Sequence, residues 1–261
     1  MRILLAVSAL SLSACTTLGP MPATTGISAV PANRPGVELQ GALAPGYFLS
    51  AATREPEHTG AASRQLSLLI EPDRWLGAQG LIAGVRAGIG EADDRTAEPF
   101  VGYRSRLGDD FAFAAIGHGT VIQGADRGAS YRASRVGAEL AVDARLFAPA
   151  SWLELHGQAA AAAVFLDARG TYCASTDGFG VDCNQDGHDR VIDGTARGVF
   201  PSANASLALD FAYGAGWFHG GRIALVGATG LMPQVKSGME TAGIRYHSVG
   251  LTLTLGFGSE E

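Results

Sequence analysis

The chain has 261 residues, a formal net charge of −6 at pH 7, 36 glycines and a single lysine, Lys236. Glycine at about twice its usual share opposes an all-helical protein, and no apolar run after the first 15 residues reaches the ~20 residues that a membrane-spanning helix requires. The acidic balance, without any basic cluster, excludes the electrostatic footprint of a nucleic-acid-binding protein.

The N-terminal residues have the layout of a secretory signal peptide. Arg2 supplies a positive start, residues 3–12 form an apolar run, and Leu12-Ser13-Ala14-Cys15 follows at once. This run is much shorter than the ~20 residues of a membrane-spanning helix. The pattern therefore predicts a leader that is removed from the mature protein.

Leu12 to Cys15 resembles the lipobox of bacterial lipoproteins. The resemblance implies that residues 1–14 are cleaved off and that the Cys15 thiol carries diacylglycerol. Thr16 stands where an aspartate would retain a lipoprotein at the inner membrane, so the resemblance allows sorting to the outer membrane. The alternative is an ordinary signal peptide followed by a cysteine that bears no lipid.

Residues 15–36 are predicted to form a tether between the lipid and a folded domain. This segment contains Pro20, Pro22, Pro31 and Pro35 among small residues, a composition that favours extended, solvated chain. The remaining residues, 37–261, suit one domain.

In this domain the apolar residues alternate with polar or small ones, which is the period of a β-strand. The segment 135–146 is typical, because Val136, Leu140 and Val142 share one face while Glu139 and Asp143 share the other. We predict ten strands, near residues 37–51, 63–70, 76–90, 98–106, 111–122, 131–146, 152–168, 198–213, 221–230 and 244–257. Short connections alternate with long ones along this series.

Over residues 37–257 this pattern resembles bacterial outer-membrane β-barrels, which have short periplasmic turns, long outer loops and both termini in the periplasm. The resemblance implies a closed antiparallel up-and-down transmembrane barrel, with eight or twelve strands as alternatives to ten. It also implies a monomer in contact with outer-membrane lipid, whose lipid-anchored N-terminus lies on the periplasmic side. Phe257 departs from the family pattern, because four residues follow this last aromatic residue.

Alternation alone also fits a soluble β-sandwich or a lipocalin-like barrel, in which the apolar face points inward. Two observations favour the membrane barrel. The polar faces carry charges of both signs, and aromatic residues fall near strand ends, as in the girdles of membrane barrels. These aromatic residues are Tyr47, Trp75, Tyr103, Phe147, Trp152, Phe165, Phe200, Tyr213, Trp217 and Tyr246.

In a ten-strand barrel the polar face lines a lumen that side chains nearly fill, so we expect a plugged interior. The residues predicted to carry charge or titrate inside it are Arg86, Arg104, Arg135, Glu139, Asp143, Glu154, His156 and Asp210. Such groups must be paired in a low-dielectric interior. The functional interpretation is a narrow ion path or a buried catalytic group, and the alternative is a structural salt-bridge network.

The longest predicted loop, 169–197, contains two features. Cys173 and Cys183 are expected to form a disulfide in an exported protein, because no second cysteine pair completes a metal site. The segment 182–193 resembles the calcium loop of EF-hand proteins, with Gly187 at the sharp turn. Its candidate calcium ligands are Asp182, Asn184, Asp186, His188 and Asp193, although Asp193 replaces the usual glutamate. The alternative is a solvated acidic loop without a metal.

No catalytic residue is predicted, because none of the six histidines lies in a serine-hydrolase or zinc-protease motif. His118 is placed near the outer rim, with Asp126 a few residues beyond it. The first hypothesis is therefore a non-enzymatic barrel that is structural or displays surface loops. The alternatives are a narrow small-solute channel and a rim-active lipid hydrolase or protease.

Overall fold

A computed structural model describes residues 36–44, 47–50, 56–59, 63–72, 80–89, 95–126, 129–174, 190–233 and 243–258. The regular elements in these ranges are antiparallel strands. They are β1 (Val37–Ala44), β2 (Tyr47–Ser50), β3 (Pro56–Thr59), β4 (Ser63–Ile70), β5 (Leu81–Ile89), β6 (Arg95–Leu107), β7 (Phe111–Asp126), β8 (Ala129–Ala150), β9 (Leu153–Ala174), β10 (Arg190–Ala215), β11 (Phe218–Pro233) and β12 (Gly243–Phe257). Within the same ranges, no helix has the length and hydropathy needed to cross a membrane.

The strands close into a barrel. From β4 to β12 each strand pairs with the next one along the chain, and β1 pairs with both β4 and β12. β1 and β2 pair with successive parts of β12, so together they form one strand of the wall. β4 pairs with β1 and β3 pairs with β2, so β3 and β4 together form the neighbouring wall strand. The predicted all-β, closed, antiparallel up-and-down barrel of about ten strands is confirmed.

The two faces of the wall differ sharply in chemistry, and β8 shows why. Val136, Leu140 and Val142 are 64%, 64% and 54% exposed on its outer face, whereas Glu139 and Asp143 on its inner face are 1% and 0% exposed. Apolar surface on this scale is unfavourable in water, and buried carboxylates are unfavourable without partners. The barrel is therefore inside-out, with an outer face suited to hydrocarbon and a polar interior.

One end of the barrel, here called the short-turn rim, carries the tight connections. Gly108 in the β6–β7 turn and Gly216 in the β10–β11 turn have φ of 80° and 68°, a conformation that glycine adopts without a Cβ penalty. Both ends of the wall lie at this rim, because the Gly36 amide donates to Phe257 and the Gly258 amide donates to Trp217. The opposite end is called the long-loop rim.

Several strands are longer than the sequence predicts, β8, β9 and β10 among them. The expected segments 131–146, 152–168 and 198–213 extend to form β8, β9 and β10, with Ala174 paired to Arg190. The predicted loop 169–197 therefore had the wrong bounds. Alternation was lost on this part because its outward residues, such as Arg169 and Arg197, are polar and exposed. Strands of 22 and 26 residues exceed the ~9–11 that cross a bilayer, so this wall continues beyond the hydrocarbon.

Candidate functional site: the charged lumen

The structure places all eight predicted lumen residues on the inner face of the wall. Six are at most 3% exposed, namely Arg86, Arg104, Arg135, Glu139, Asp143 and His156. The side chains of Asp210 and Glu154 are 15% and 34% exposed. Strand alternation was sufficient to place these residues, because a side chain in a paired strand has only two faces to choose between.

The first ionic cluster, which we call the central cluster, lies on β5, β6, β7 and β8. The Arg86 guanidinium donates to Glu139 at 3.0 Å, and the Arg135 guanidinium donates to the two oxygens of Glu98 at 3.0 and 2.7 Å. The Nδ1 atom of His118 lies 2.6 Å from the same Glu98 carboxylate. All five side chains are buried, so the arginines and glutamates of this cluster pair with one another rather than with bulk water.

A second group, the Arg222 cluster, joins β8, β9, β10 and β11. The Arg222 guanidinium donates to Asp143 at 2.7 Å and to the two oxygens of Asp210 at 2.5 and 2.7 Å. The His156 ring nitrogens lie 2.7 Å from Asp143 and 2.9 Å from Glu154. Carboxylates only accept hydrogen bonds, so the geometry at His156 fits an imidazolium that donates from both nitrogens.

Two further arginines form ion pairs toward the short-turn rim. Arg104 is buried and donates to Glu38 at 2.8 Å and also to Glu71. Arg145 donates to Asp110 at 2.7 Å but is about one-third exposed, so water weakens that pair.

Three of these contacts cross the lumen. Arg104 on β6 reaches Glu38 on β1, Arg86 on β5 reaches Glu139 on β8, and Arg222 on β11 reaches Asp143 on β8. In each case two wall strands separate the partners. These contacts, here called the cross-lumen bridges, occupy the interior and tie together parts of the wall that the sheet does not join directly.

Packing around the central cluster also fills the interior. The Phe100 ring lies against Gly84 on the neighbouring strand, where a Cβ would collide with the ring. The Arg86 guanidinium lies over this ring, 5.3 Å from its centroid, a distance suited to a cation–π contact. Glycine is therefore required at position 84 because the Phe100 ring leaves no room for a Cβ atom, and not because of the backbone conformation.

Several lumen residues were missed by the sequence analysis. Glu38, Glu98 and Arg222 are 3%, 1% and 3% exposed inside the barrel. Glu98 lies in the predicted strand 98–106, and its inward face was readable from Phe100 and Arg104, but Pro99 interrupts the alternation there. Arg222 follows two glycines in a segment with little alternation.

His118 differs from its expected place near the outer rim. It lies inside the barrel, 7% exposed, because β7 extends to Asp126 rather than ending at residue 122. Asp126 is eight positions further along that strand, about 26 Å away at ~3.3 Å per residue. The two residues cannot form a catalytic pair, and the partner of His118 is Glu98.

A few buried polar atoms have no hydrogen-bond partner within the described ranges. In the central cluster they are Nε of Arg86, Nε2 of His118 and Oε1 of Glu139. Such atoms are suited to small, ordered water molecules. No group of three or more His, Cys, Asp or Glu side chains in the described part of the chain is placed to hold a metal ion.

The other predicted site residues lie largely outside the described residues. Cys15, Asp182, Cys183, Asn184, Asp186 and His188 are all outside them. The backbone of Cys173 pairs with Val191, and that of Asp193 pairs with Thr171, near the long-loop ends of β9 and β10. The lipid anchor, the disulfide and the calcium site stay predictions.

No protein-family model and no curated protein sequence matches this chain. Among solved structures it is similar to Neisserial surface protein A, with 10% identity, 85% of this chain and 97% of that chain covered, and a TM-score of 0.34. It is also similar to the translocator domain of autotransporter NalP from Neisseria meningitidis, with 12% identity, 85% and 89% covered, and a TM-score of 0.34. A third is the CymD monoaromatic hydrocarbon channel, with 9% identity, 95% and 94% covered, and a TM-score of 0.27. Likeness at these TM-scores does not select a function.

The Arg222 cluster predicts a large effect from one substitution. Arg222→Ala leaves Asp143 and Asp210 inside the barrel without their guanidinium, so we expect the free energy of unfolding to fall by about 3–5 kcal/mol. Urea-dependent unfolding from phosphatidylcholine vesicles measures this loss. Arg106→Ala, which removes an exposed arginine of β6, is the matched control and is expected to change little. Equal stability of the two variants would contradict the role assigned to Arg222.

Proposed function

We propose that this chain is a bacterial outer-membrane β-barrel lipoprotein with a closed lumen, and that it acts as a structural or surface-loop-displaying protein rather than as an enzyme. The observation that carries the proposal is the inside-out wall combined with the cross-lumen bridges. The apolar outer face requires lipid, because exposed residues such as Leu140 and Val136 would otherwise meet water. The paired charges of the interior leave the barrel stable without a bound ligand.

A closed lumen is favoured over a small-solute channel by where the bridges run. A channel wall carries its charges along the perimeter, whereas Arg86 and Arg222 each reach a carboxylate three wall strands away. Breaking a buried ion pair costs several kcal/mol. A solute that displaced one of these arginines would therefore have to form interactions of similar free energy.

Catalysis has less support than a closed lumen or a small-solute channel. His118 has the carboxylate partner of a general base, Glu98, but its Nε2 atom contacts no nucleophile in the described ranges. A histidine enclosed at 7% exposure is also poorly placed to meet a lipid or a peptide at the rim. A structural role in the central cluster accounts for both facts.

The short-turn rim supports a lipid anchor on the periplasmic side. The wall begins there at Gly36, which hydrogen-bonds to Phe257, and short turns face the periplasm in outer-membrane barrels. The tether 15–36 would span at most ~75 Å if fully extended, so Cys15 reaches the adjacent leaflet without strain. Cys173 and Asp193, the described members of the predicted disulfide and calcium site, lie on strands near the opposite, long-loop rim, where displayed loops belong.

The closed lumen predicts the absence of conductance. In planar phosphatidylcholine bilayers we expect the wild-type barrel to give no stable conductance steps, because the bridges occupy the interior. Arg86→Ala combined with Glu139→Ala removes one bridge without leaving a lone charge and is expected to produce steps.

The matched control is Arg145→Ala combined with Asp110→Ala. This pair lies near the short-turn rim and is partly exposed, so its removal should leave the barrel silent. Reproducible steps from wild-type protein would instead favour the small-solute channel.

The lipid anchor predicts that Cys15 is acylated. Cells grown with radiolabelled palmitate should incorporate label into the wild-type protein and not into Cys15→Ser, while both proteins keep the heat-dependent gel mobility of a folded barrel. Cys173→Ser is the control and should keep its label. Undiminished label in Cys15→Ser would rule out the lipoprotein part of the proposal.

A further inference from the structure

The outer face of β8, β9 and β10 changes from apolar to charged over one step of the sheet. Val136, Phe165 and Val199 lie opposite one another and form the last apolar row toward the long-loop rim. The next two outward rows are polar. They consist of Ser134, Asp167 and Arg197, followed by Arg132, Arg169 and Thr195.

These polar rows carry an excess of positive charge on an otherwise acidic chain. Arg132 and Arg169 are direct cross-strand partners, and both are exposed. Arg197 lies 3.9 Å from Asp167 and 5.7 Å from the centre of the Phe165 ring. The charge of Asp167 thus offsets one arginine, and the Arg132–Arg169 pair is left with like charges side by side.

Like charges directly opposite each other destabilise a strand pair unless an ion of opposite sign lies between them. Neither Arg132 nor Arg169 forms an ion pair with a carboxylate in the described part of the chain. An anion between their guanidinium groups would relieve this repulsion. Guanidinium groups present parallel N–H donors that match the oxygens of a phosphate.

The position of the pair identifies the kind of anion. It lies on the outside of the wall, one polar row beyond the last apolar row, in the zone where lipid phosphates meet a membrane protein. Phe165 and Val199 belong to that last apolar row, and both are exposed on the outside of the wall.

We propose that Arg132 and Arg169 form a binding site for the phosphate of an anionic lipid head group in the leaflet at the long-loop rim. The proposal rests on the membrane insertion argued above and adds a lipid preference to it. Asp167 and Arg197 border the site, and the aromatic ring of Phe165 supports the lipid below the phosphate.

The test uses native mass spectrometry of the purified full-length barrel in a neutral detergent. We expect the wild type to retain phosphatidic acid as a single adduct and to bind phosphatidylcholine much less. Arg132→Gln combined with Arg169→Gln is expected to bind phosphatidic acid roughly tenfold or more weakly, because charge-assisted hydrogen bonds are lost. Arg245→Gln is the matched control, since Arg245 is also exposed near the long-loop end, on β12, and should leave binding unchanged.

Three outcomes would overturn the proposal. They are equal retention of the two lipids by the wild type, equal loss in the Arg245 control, and displacement of phosphatidic acid by inorganic phosphate at equal concentration, which would indicate a free-anion site. Should the double variant fail to fold, each single variant carries the test. Heat-dependent gel mobility after refolding into pure phosphatidylcholine reports insertion separately, so a barrel that inserts without lipid preference refutes only this inference.

Discussion

The buried charges of the lumen must be paired, and this constraint organises the rest of the molecule. An isolated ion in a low-dielectric interior costs several kcal/mol, and removing one partner of a buried pair is strongly destabilising. Here Arg86, Arg104 and Arg222 each meet a carboxylate on a wall strand that is not their neighbour. The pairing therefore fixes the cross-section of the barrel as well as the charge balance.

The inside-out wall follows from the same constraint. Once the polar side of every strand is committed to the lumen, alternation places the apolar side outward. On β8 that outward series includes Val136, Leu140 and Val142, and hydrocarbon is the surrounding that stabilises it. Beyond the apolar rows the wall continues on β8, β9 and β10, where charged residues face outward. The membrane boundary is therefore marked by the change from apolar to charged outward side chains, and not by the ends of the strands.

The sequence was sufficient for the fold class and for the face that each strand turns inward. Residues as far apart as Arg86 and Asp210 were placed in the lumen because alternation needs only the local register. The sequence was not sufficient to predict which lumen residues form ion pairs with each other. Which carboxylate Arg86 meets depends on how the sheet curves and closes, because Glu139 lies three wall strands away. Glu98 and Arg222 were missed because Pro99 and the glycines before Arg222 interrupt the alternation.

Strand ends were the other limit of sequence reasoning. Alternation of apolar and polar residues marks only the part of a strand that lipid surrounds. The parts of β9 and β10 near the long-loop rim were therefore predicted as loop. The same error placed His118 at the rim, although β7 continues past it to Asp126. Backbone hydrogen bonds hold β9 and β10 together near the long-loop rim, and the pattern of side chains does not reveal this pairing.

The most direct test of the inside-out barrel is a comparison of adjacent positions on β8. In a background without native cysteines, Leu140→Cys and Ala141→Cys place one thiol outward and the next one inward, since Leu140 is 64% and Ala141 1% exposed. In phosphatidylcholine vesicles, a fluorophore on residue 140 should be quenched by brominated lipid and not by iodide, while the thiol at 141 should stay unreactive until the barrel unfolds. Quenching of residue 140 by iodide alone, in a protein that stays folded and monomeric without detergent, would contradict the account.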